Sequence, residues 1–251
     1  MNRRVVSLIV SAASLAALSS ARAEDAATSS SWALGAGVGV VRLPYKDIDT
    51  RTQVFPFVRY ESQHLNVFGT GADFKFAPIG NLSLRLRARY DFSDGYDASD
   101  SSFLRGMADR KGGFRAGVAA VWKPGPVEVT LDWLAGIGSA KGKKANLSLA
   151  VPFRAGRVRI SPYVGAGWVD SRFATWYFGV RPEEARAGRP AYDAGSTINV
   201  TAGVRAELPF GQRQALFLDV SGTHYGSDIA DSPIVDRSSS TTVRVGYAFR
   251  F

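Results

Sequence analysis

Residues 82–90, "LSLRLRARY", place Leu82, Leu84, Leu86, Ala88 and Tyr90 on one side of an extended chain and Ser83, Arg85, Arg87 and Arg89 on the other. Strict alternation is the signature of a strand with two unlike faces. A soluble sandwich would turn the leucines inward and the arginines to water, whereas a membrane barrel would do the reverse. The rest of the sequence has to choose between them.

The same period runs through 32–41, 113–123, 126–139, 144–153, 157–169, 197–208, 214–224 and 241–251. Runs of about ten residues exceed the usual five or six of a soluble strand. At about 3.3 Å per residue and a tilt near 45°, they cover roughly 25 Å, the height of an outer-membrane apolar band. Short turns rich in Gly and Pro, "KPGP" at 123–126, "RAGR" at 154–157 and "PFGQR" at 209–213, alternate with long polar segments at 92–112, 170–196 and 225–240. Such asymmetry is expected when one end of every hairpin faces the periplasm and the other faces outside. A short turn near 142–144, "GKK", is the exception on the long side. Trp32, Trp122 and Trp168 stand near strand ends, as interfacial girdles require. These features favour a transmembrane antiparallel up-and-down β-barrel. Parity gives twelve strands if 53–60, 64–69 and 71–76 are separate, the last two being short; ten is the alternative count.

The amino terminus supports export. Arg3 and Arg4 precede an apolar run over 5–18, and Ala21-Arg22-Ala23 reads as a small-residue cleavage site. The expected division is a signal peptide at 1–23 and a barrel at 24–251. Across the whole chain, 31 Lys plus Arg oppose 22 Asp plus Glu, a net charge of +9. With no cysteine there is no disulfide framework, thiolate metal site or cysteine-borne lipid anchor. No later segment approaches 18 apolar residues, so any crossing of a membrane is by strands.

A barrel in lipid must close, because each unsatisfied backbone group costs several kcal/mol there. The terminal run 241–251 supplies the closing strand and leaves Phe251 in the periplasmic girdle. Its segment "RVGYAFRF", with Gly246, Phe249 and Phe251, resembles the carboxy-terminal signal read by the bacterial barrel assembly machinery. Outer-membrane lipid and lipopolysaccharide are then the surroundings.

The chain resembles the MipA/OmpV family of outer-membrane proteins. The resemblance covers most of the sequence after the leader and rests on four places: "FPFVRY" at 55–60, "YFGVRPEEARAGRPAYDAGS" at 177–196, "DSPIV" at 231–235 and "GYAFRF" at 246–251. The first loop, "LPYKDID" at 43–49, departs from the family's Pro, Tyr, Gly-Ser pattern in having no Gly-Ser. Membership implies a barrel without enzymatic activity. It also implies a scaffold role linking a murein transglycosylase and a penicillin-binding protein, with adhesion or osmotic response in other relatives. The inferred periplasmic turns are short for a scaffold.

Parity assigns Arg85, Arg87, Arg89, Arg157, Arg159, Arg205 and Arg244, together with Glu128, Asp132 and Glu207, to the lumen. A self-neutralising ion network that blocks the bore is one reading, and a narrow anion-preferring passage is the other. Enclosed charges of this kind exclude a nucleic-acid surface. Loop 170–196 is long enough to be a plug. Pro182, Glu183 and Glu184 suit the first turn of a short helix that Gly188 would end. Tyr177 and Phe178 would pack the loop against the barrel mouth or inside it, with Pro182 and Tyr192 in the same plug segment.

Asp91, Asp94, Asp97 and Asp100 recur every third residue, a spacing that matches no calcium loop and suits a solvated acidic loop. His224 and Ser227, with Asp228 or Asp231, are the residues a lipid hydrolase would use, and they form the remote alternative. "GAGVG" and "VGAGW" lie inside strands, without the strand-to-helix context of a nucleotide site. No cofactor is required.

Overall fold

The computed structural model describes residues 30–251 apart from position 49. The leader expected over 1–23 lies outside them. Strand segments follow one another as β1 (Ser31–Arg42), β2 (Arg51–Glu61), β3 (Leu65–Phe68), β4 (Gly71–Lys75), β5 (Leu82–Tyr96), β6 (Arg110–Trp122) and β7 (Glu128–Gly136). They continue as β8 (Lys143–Ala150), β9 (Phe153–Ala155), β10 (Val158–Val169), β11 (Thr197–Phe210), β12 (Gln214–His224) and β13 (Ser239–Arg250). Both β8 and β9 pair with β10, so they are one stave interrupted at Pro152, which has no amide to give the ladder. The result is a closed antiparallel barrel of twelve staves.

The seam joins β13 to β1 from Ala33↔Arg250 to Arg42↔Thr241. The count of twelve depends on β3 and β4, which are only 4 and 5 residues long. β5 continues past the expected end at Tyr90, because an irregularity between Asp91 and Gly95 carries the pairing on to Tyr96↔Arg110.

Facing follows the alternation. Leu84 and Leu86 are 43% and 50% exposed on the outer wall, while Arg87, the next residue along, is 6% exposed inside. Val38, Val118, Leu131, Val164, Val204 and Leu218 continue the outer apolar band. Trp32 and Trp122 mark its periplasmic edge and Trp168 its outer edge, all of them exposed.

The long loops fold together over the outer mouth as a core of their own. Helix α1 (Ser171–Phe178) begins at Asp170, whose side chain accepts the Phe173 amide. Its Phe173, Ala174, Tyr177 and Phe178 pack with Leu43, Tyr45, Tyr96, Leu104, Ile229 and Ile234. The first loop is tied to the "DSPIV" segment by a Tyr45↔Val235 bridge and by the Lys46 amide donating to the Ile234 carbonyl at 2.9 Å. A second short helix, α2 (Ser227–Ala230), contributes Ile229. The helix start expected at Pro182 is a single 3-10 turn over Pro182–Glu184, and Gly188 instead serves a tight turn with φ +79°. The longer helix lies upstream because Asp170 supplies a cap and aromatic residues at 173, 177 and 178 fill the mouth.

At Gly35 the neighbouring strand comes close enough that a Cβ would sit 1.8 Å from the Tyr247 carbonyl oxygen, whereas at Gly39 its nearest neighbour would be an Arg244 side-chain carbon at 3.4 Å. We predict that Gly35→Ala weakens closure at the β1–β13 seam and reduces the heat-modifiable, fast-migrating species on gels. Gly39→Ala should leave that species intact.

Candidate functional site

The lumen is built from ion networks carried on facing strands. From β5, Arg87 grips Asp73 of β4 with two hydrogen bonds of 2.8 Å and Asp132 of β7 with a third of 2.8 Å. Arg85 reaches Asp73 at 3.2 Å, and the Asn146 amide donates to Asp132 at 2.7 Å. Planar, multidentate pairing is what a guanidinium does best, and it crosses four staves here. Above it, Arg115 of β6 is fully buried. It pairs with Asp91 at 3.0 Å and Asp94 at 3.5 Å, and Lys144 of β8 meets the same carboxylates at 3.1 and 2.9 Å.

The remaining wall is less well neutralised. Arg205 of β11 and Arg244 of β13 share the single carboxylate Asp219 of β12, at 3.3 and 3.5 Å. Arg89 has no hydrogen-bond or ion-pair partner among the described residues and is exposed to the lumen. Beneath the cap lies a cavity of about 420 Å³ bordered by Arg89, Asp132, Lys144, Tyr163 and Tyr177.

Three expected lumen residues sit lower. Arg159 and Glu207 are opposite each other at the periplasmic end of β10 and β11, with no ion pair between them. Glu128 binds Lys123 at 2.9 Å at the same rim. Arg157 is not in the lumen, because it falls in the turn between β9 and β10 and is exposed there.

The external cap has a buried lock that parity could not indicate. Arg110 donates from Nη2 to both oxygens of Glu184 at 2.8 Å and from Nε to the Trp176 carbonyl at 2.8 Å. Arg189 donates to the Glu184 carbonyl at 2.8 Å and to the Phe103 carbonyl. Tyr45 donates to the Tyr177 carbonyl at 3.2 Å, and Tyr192 to that of Asp228 at 2.9 Å. Burial works against the charge on Glu184, but the amides of Ala108 and Arg181 and the Arg110 guanidinium outweigh it and hold its carboxyl below the usual range.

The aspartates of 91–100 each face a cation: Asp97 meets Lys111 at 3.3 Å and Asp100 meets Arg51 at 2.7 Å, while Asp91 and Asp94 serve Arg115 and Lys144. His224 is exposed, at the end of β12, opposite Val200 of the outer face. Asp228 accepts the Gly195 amide at 3.1 Å. No hydrogen bond joins His224 to Ser227 among the described residues. Asp73, Arg115, Lys144 and Asp219 escaped notice in the sequence, although the same alternation that marks Arg87 also places them inward.

An apolar outer wall, a charged lumen and a loop core over one mouth define an outer-membrane β-barrel. The profile of the family described as MltA-interacting protein MipA matches residues 34–251, and the chain belongs to that family. It is 26% identical over 227 residues to the MltA-interacting protein of Escherichia coli, covering 88% of this chain and 90% of that one. It is 28% identical over 197 residues to outer membrane protein OmpV of Vibrio cholerae, covering 76% of each. Among solved structures the NanC porin overlays with a TM-score of 0.45 at 9% identity, covering 86% of this chain and 98% of that one.

Removing one member of a buried pair leaves its partner uncompensated, typically at 3–5 kcal/mol. Asp73→Ala should therefore lower the thermal midpoint far more than Asp97→Ala, as followed by gel shift against temperature. Because the folded pKa of Glu184 is depressed, its stabilisation of the cap is complete above the unfolded value of about 4.3 and is lost as the pH falls through the folded value. Protease sensitivity of the 180–190 segment should rise in that acid window, and Glu184→Gln should remove the pH step.

Proposed function

We propose that this protein is a non-catalytic outer-membrane barrel whose periplasmic rim docks a murein transglycosylase, so that the wall-cleaving enzyme is held at the membrane. One observation carries the reading. Arg154, Arg157, Arg159, Arg213 and Arg250 all stand exposed at the short-turn end, with no carboxylate in ion-pair reach among the described residues. Arg154 lies directly across the ladder from Arg159. Like charges directly opposite are destabilising, so an acidic partner would relieve what the barrel alone tolerates. The relative's name, MltA-interacting protein, supports this choice of partner. Short turns limit the contact to a flat collar, which suits electrostatic docking and steering more than deep insertion.

A narrow anion-preferring passage is the second reading, favoured by the accessible Arg89, Arg205 and Arg244. The cap opposes it, because Tyr177 and Phe178 are buried in the loop core with Tyr192 packed against it.

Detergent-solubilised protein should retain a murein transglycosylase in a pull-down at low salt. Retention should fall as ionic strength shortens the screening length below about 10 Å, and the triple change Arg154→Glu, Arg157→Glu, Arg213→Glu should abolish it. Equal retention by this variant would refute the collar. In planar bilayers with KCl, the intact protein should stay closed and deletion of 180–190 should open it; an open, anion-selective wild type would favour the passage.

A further inference from the structure

Pro56 sits in the middle of a strand that has neighbours on both sides, paired across from Ala36 of β1. Strand prolines are confined to edges because they cannot donate to a ladder. β2 resolves the conflict by being an edge over most of its length. Its register with β3 covers only residues 59–61, and ends where the Gly69 amide donates to the Val58 carbonyl at 2.9 Å. The ladder between β4 and β5 stops in the same way at Gly71↔Arg89, followed by the Tyr90 amide donating to the Thr70 carbonyl at 3.0 Å. Backbone groups alternate direction along a strand, so those of Pro56 point to the same side as those of Val58. The proline therefore removes a donor from an edge that has no partner.

Above the 69–70 turn, the wall between residues 51–57 and 90–95 is a window. Its lintel is the Arg51 side chain, which donates to the Gly95 carbonyl at 3.2 Å and to Asp100 at 2.7 Å. On the outer side stand Val54, 77% exposed, and Phe92. Behind them a cavity of about 610 Å³ reaches Phe57 and Phe217, and touches Arg89, Arg205 and Arg244. The opening lies in the half of the wall nearer the external loops, hence in the outer leaflet. An unpaired edge at membrane depth is tolerated only where it lines a cavity or is covered by something that satisfies it.

We propose that this window admits a single-chain anionic amphiphile from the outer leaflet. Its carboxylate or phosphate head rests on Arg89, Arg205 and Arg244, and its chain lies along Phe57 and Phe217. The charge balance selects an anion: Arg89 has no hydrogen-bond or ion-pair partner among the described residues, Asp219 alone serves the other two guanidiniums, and Asp91 on the same lining is already paired with Arg115 and Lys144. The space selects one chain. If a methylene takes about the volume of a water, roughly 30 Å³, a sixteen-carbon chain needs roughly 480 Å³.

The test uses full-length protein, with folding of every variant checked by heat-modifiable migration. Dodecyl phosphate and dodecanoate, titrated against protein in a neutral maltoside detergent, should each bind at one per barrel, and their relative affinities report which head is preferred. Arg89→Gln, which breaks no ion pair, should weaken both about tenfold, the scale of one charge-assisted hydrogen bond. Val54→Trp should slow uptake from lipid vesicles while leaving binding in detergent unchanged. Inorganic phosphate competing as well as dodecyl phosphate would show a free-anion site and overturn the proposal. Unchanged binding in Arg89→Gln, or unchanged uptake in Val54→Trp, would overturn it too.

Discussion

Backbone hydrogen bonding sets the terms for this protein. In hydrocarbon every amide and carbonyl needs a partner within the chain, and a sheet meets that demand only by closing on itself. The β1–β13 and β10–β11 ladders complete the circle. The close backbone approach at Gly35, the interrupted stave at Pro152 and the short β3–β4 hairpin are local accommodations to that requirement. Where closure is incomplete, beside Pro56, the sequence removes a donor and a side chain from Arg51 spans the gap.

With most apolar side chains committed to lipid, the interior among the described residues holds only a small apolar cluster around Phe57 and Phe217. Cohesion across the bore comes from guanidinium–carboxylate contacts: Arg87 binds Asp73 of β4 and Asp132 of β7, while Arg115 of β6 and Lys144 of β8 meet on Asp91 and Asp94 of β5. Such pairs give little net energy against desolvation, but breaking one is costly, so they fix geometry more than they add stability. The uneven distribution matters for function. Charge is balanced around Arg87 and Arg115 and left in cationic excess at Arg89 and around Asp219. The larger apolar core lies above the membrane, where Tyr45, Phe173, Tyr177 and Ile234 pack together from separate loops, and a small cluster of Ala33, Phe57, Phe217 and Ala248 lies inside the barrel.

Much of this was legible because alternation is local information. Leu82 through Tyr90 alone distinguish the two faces, and the same parity placed Arg87, Asp132, Arg205 and Arg244 inward. The twelve-stave count was also within reach, through the two short strands between 64 and 76. What could not be read was pairing. Nothing near Arg87 in sequence points to Asp73 in a five-residue strand, and nothing near Arg110 points to Glu184 across 74 positions. Helix α1 was missed because Pro182, Glu183 and Glu184 carry the stronger local start signal, while tertiary burial of Phe173 and Tyr177 selected the Asp170 cap. Arg157 falls one residue short of β10, in the turn, where parity has no meaning because the chain has left the ladder.

The cap is held largely through main-chain acceptors: Arg189 binds the carbonyls of Phe103 and Glu184, Arg110 that of Trp176, Tyr45 that of Tyr177 and Tyr192 that of Asp228. A carbonyl is present whatever side chain is attached to it. Side chains on the outward face of these loops can therefore be exchanged without loosening the dome, so the exterior is chemically uncoupled from the framework beneath it.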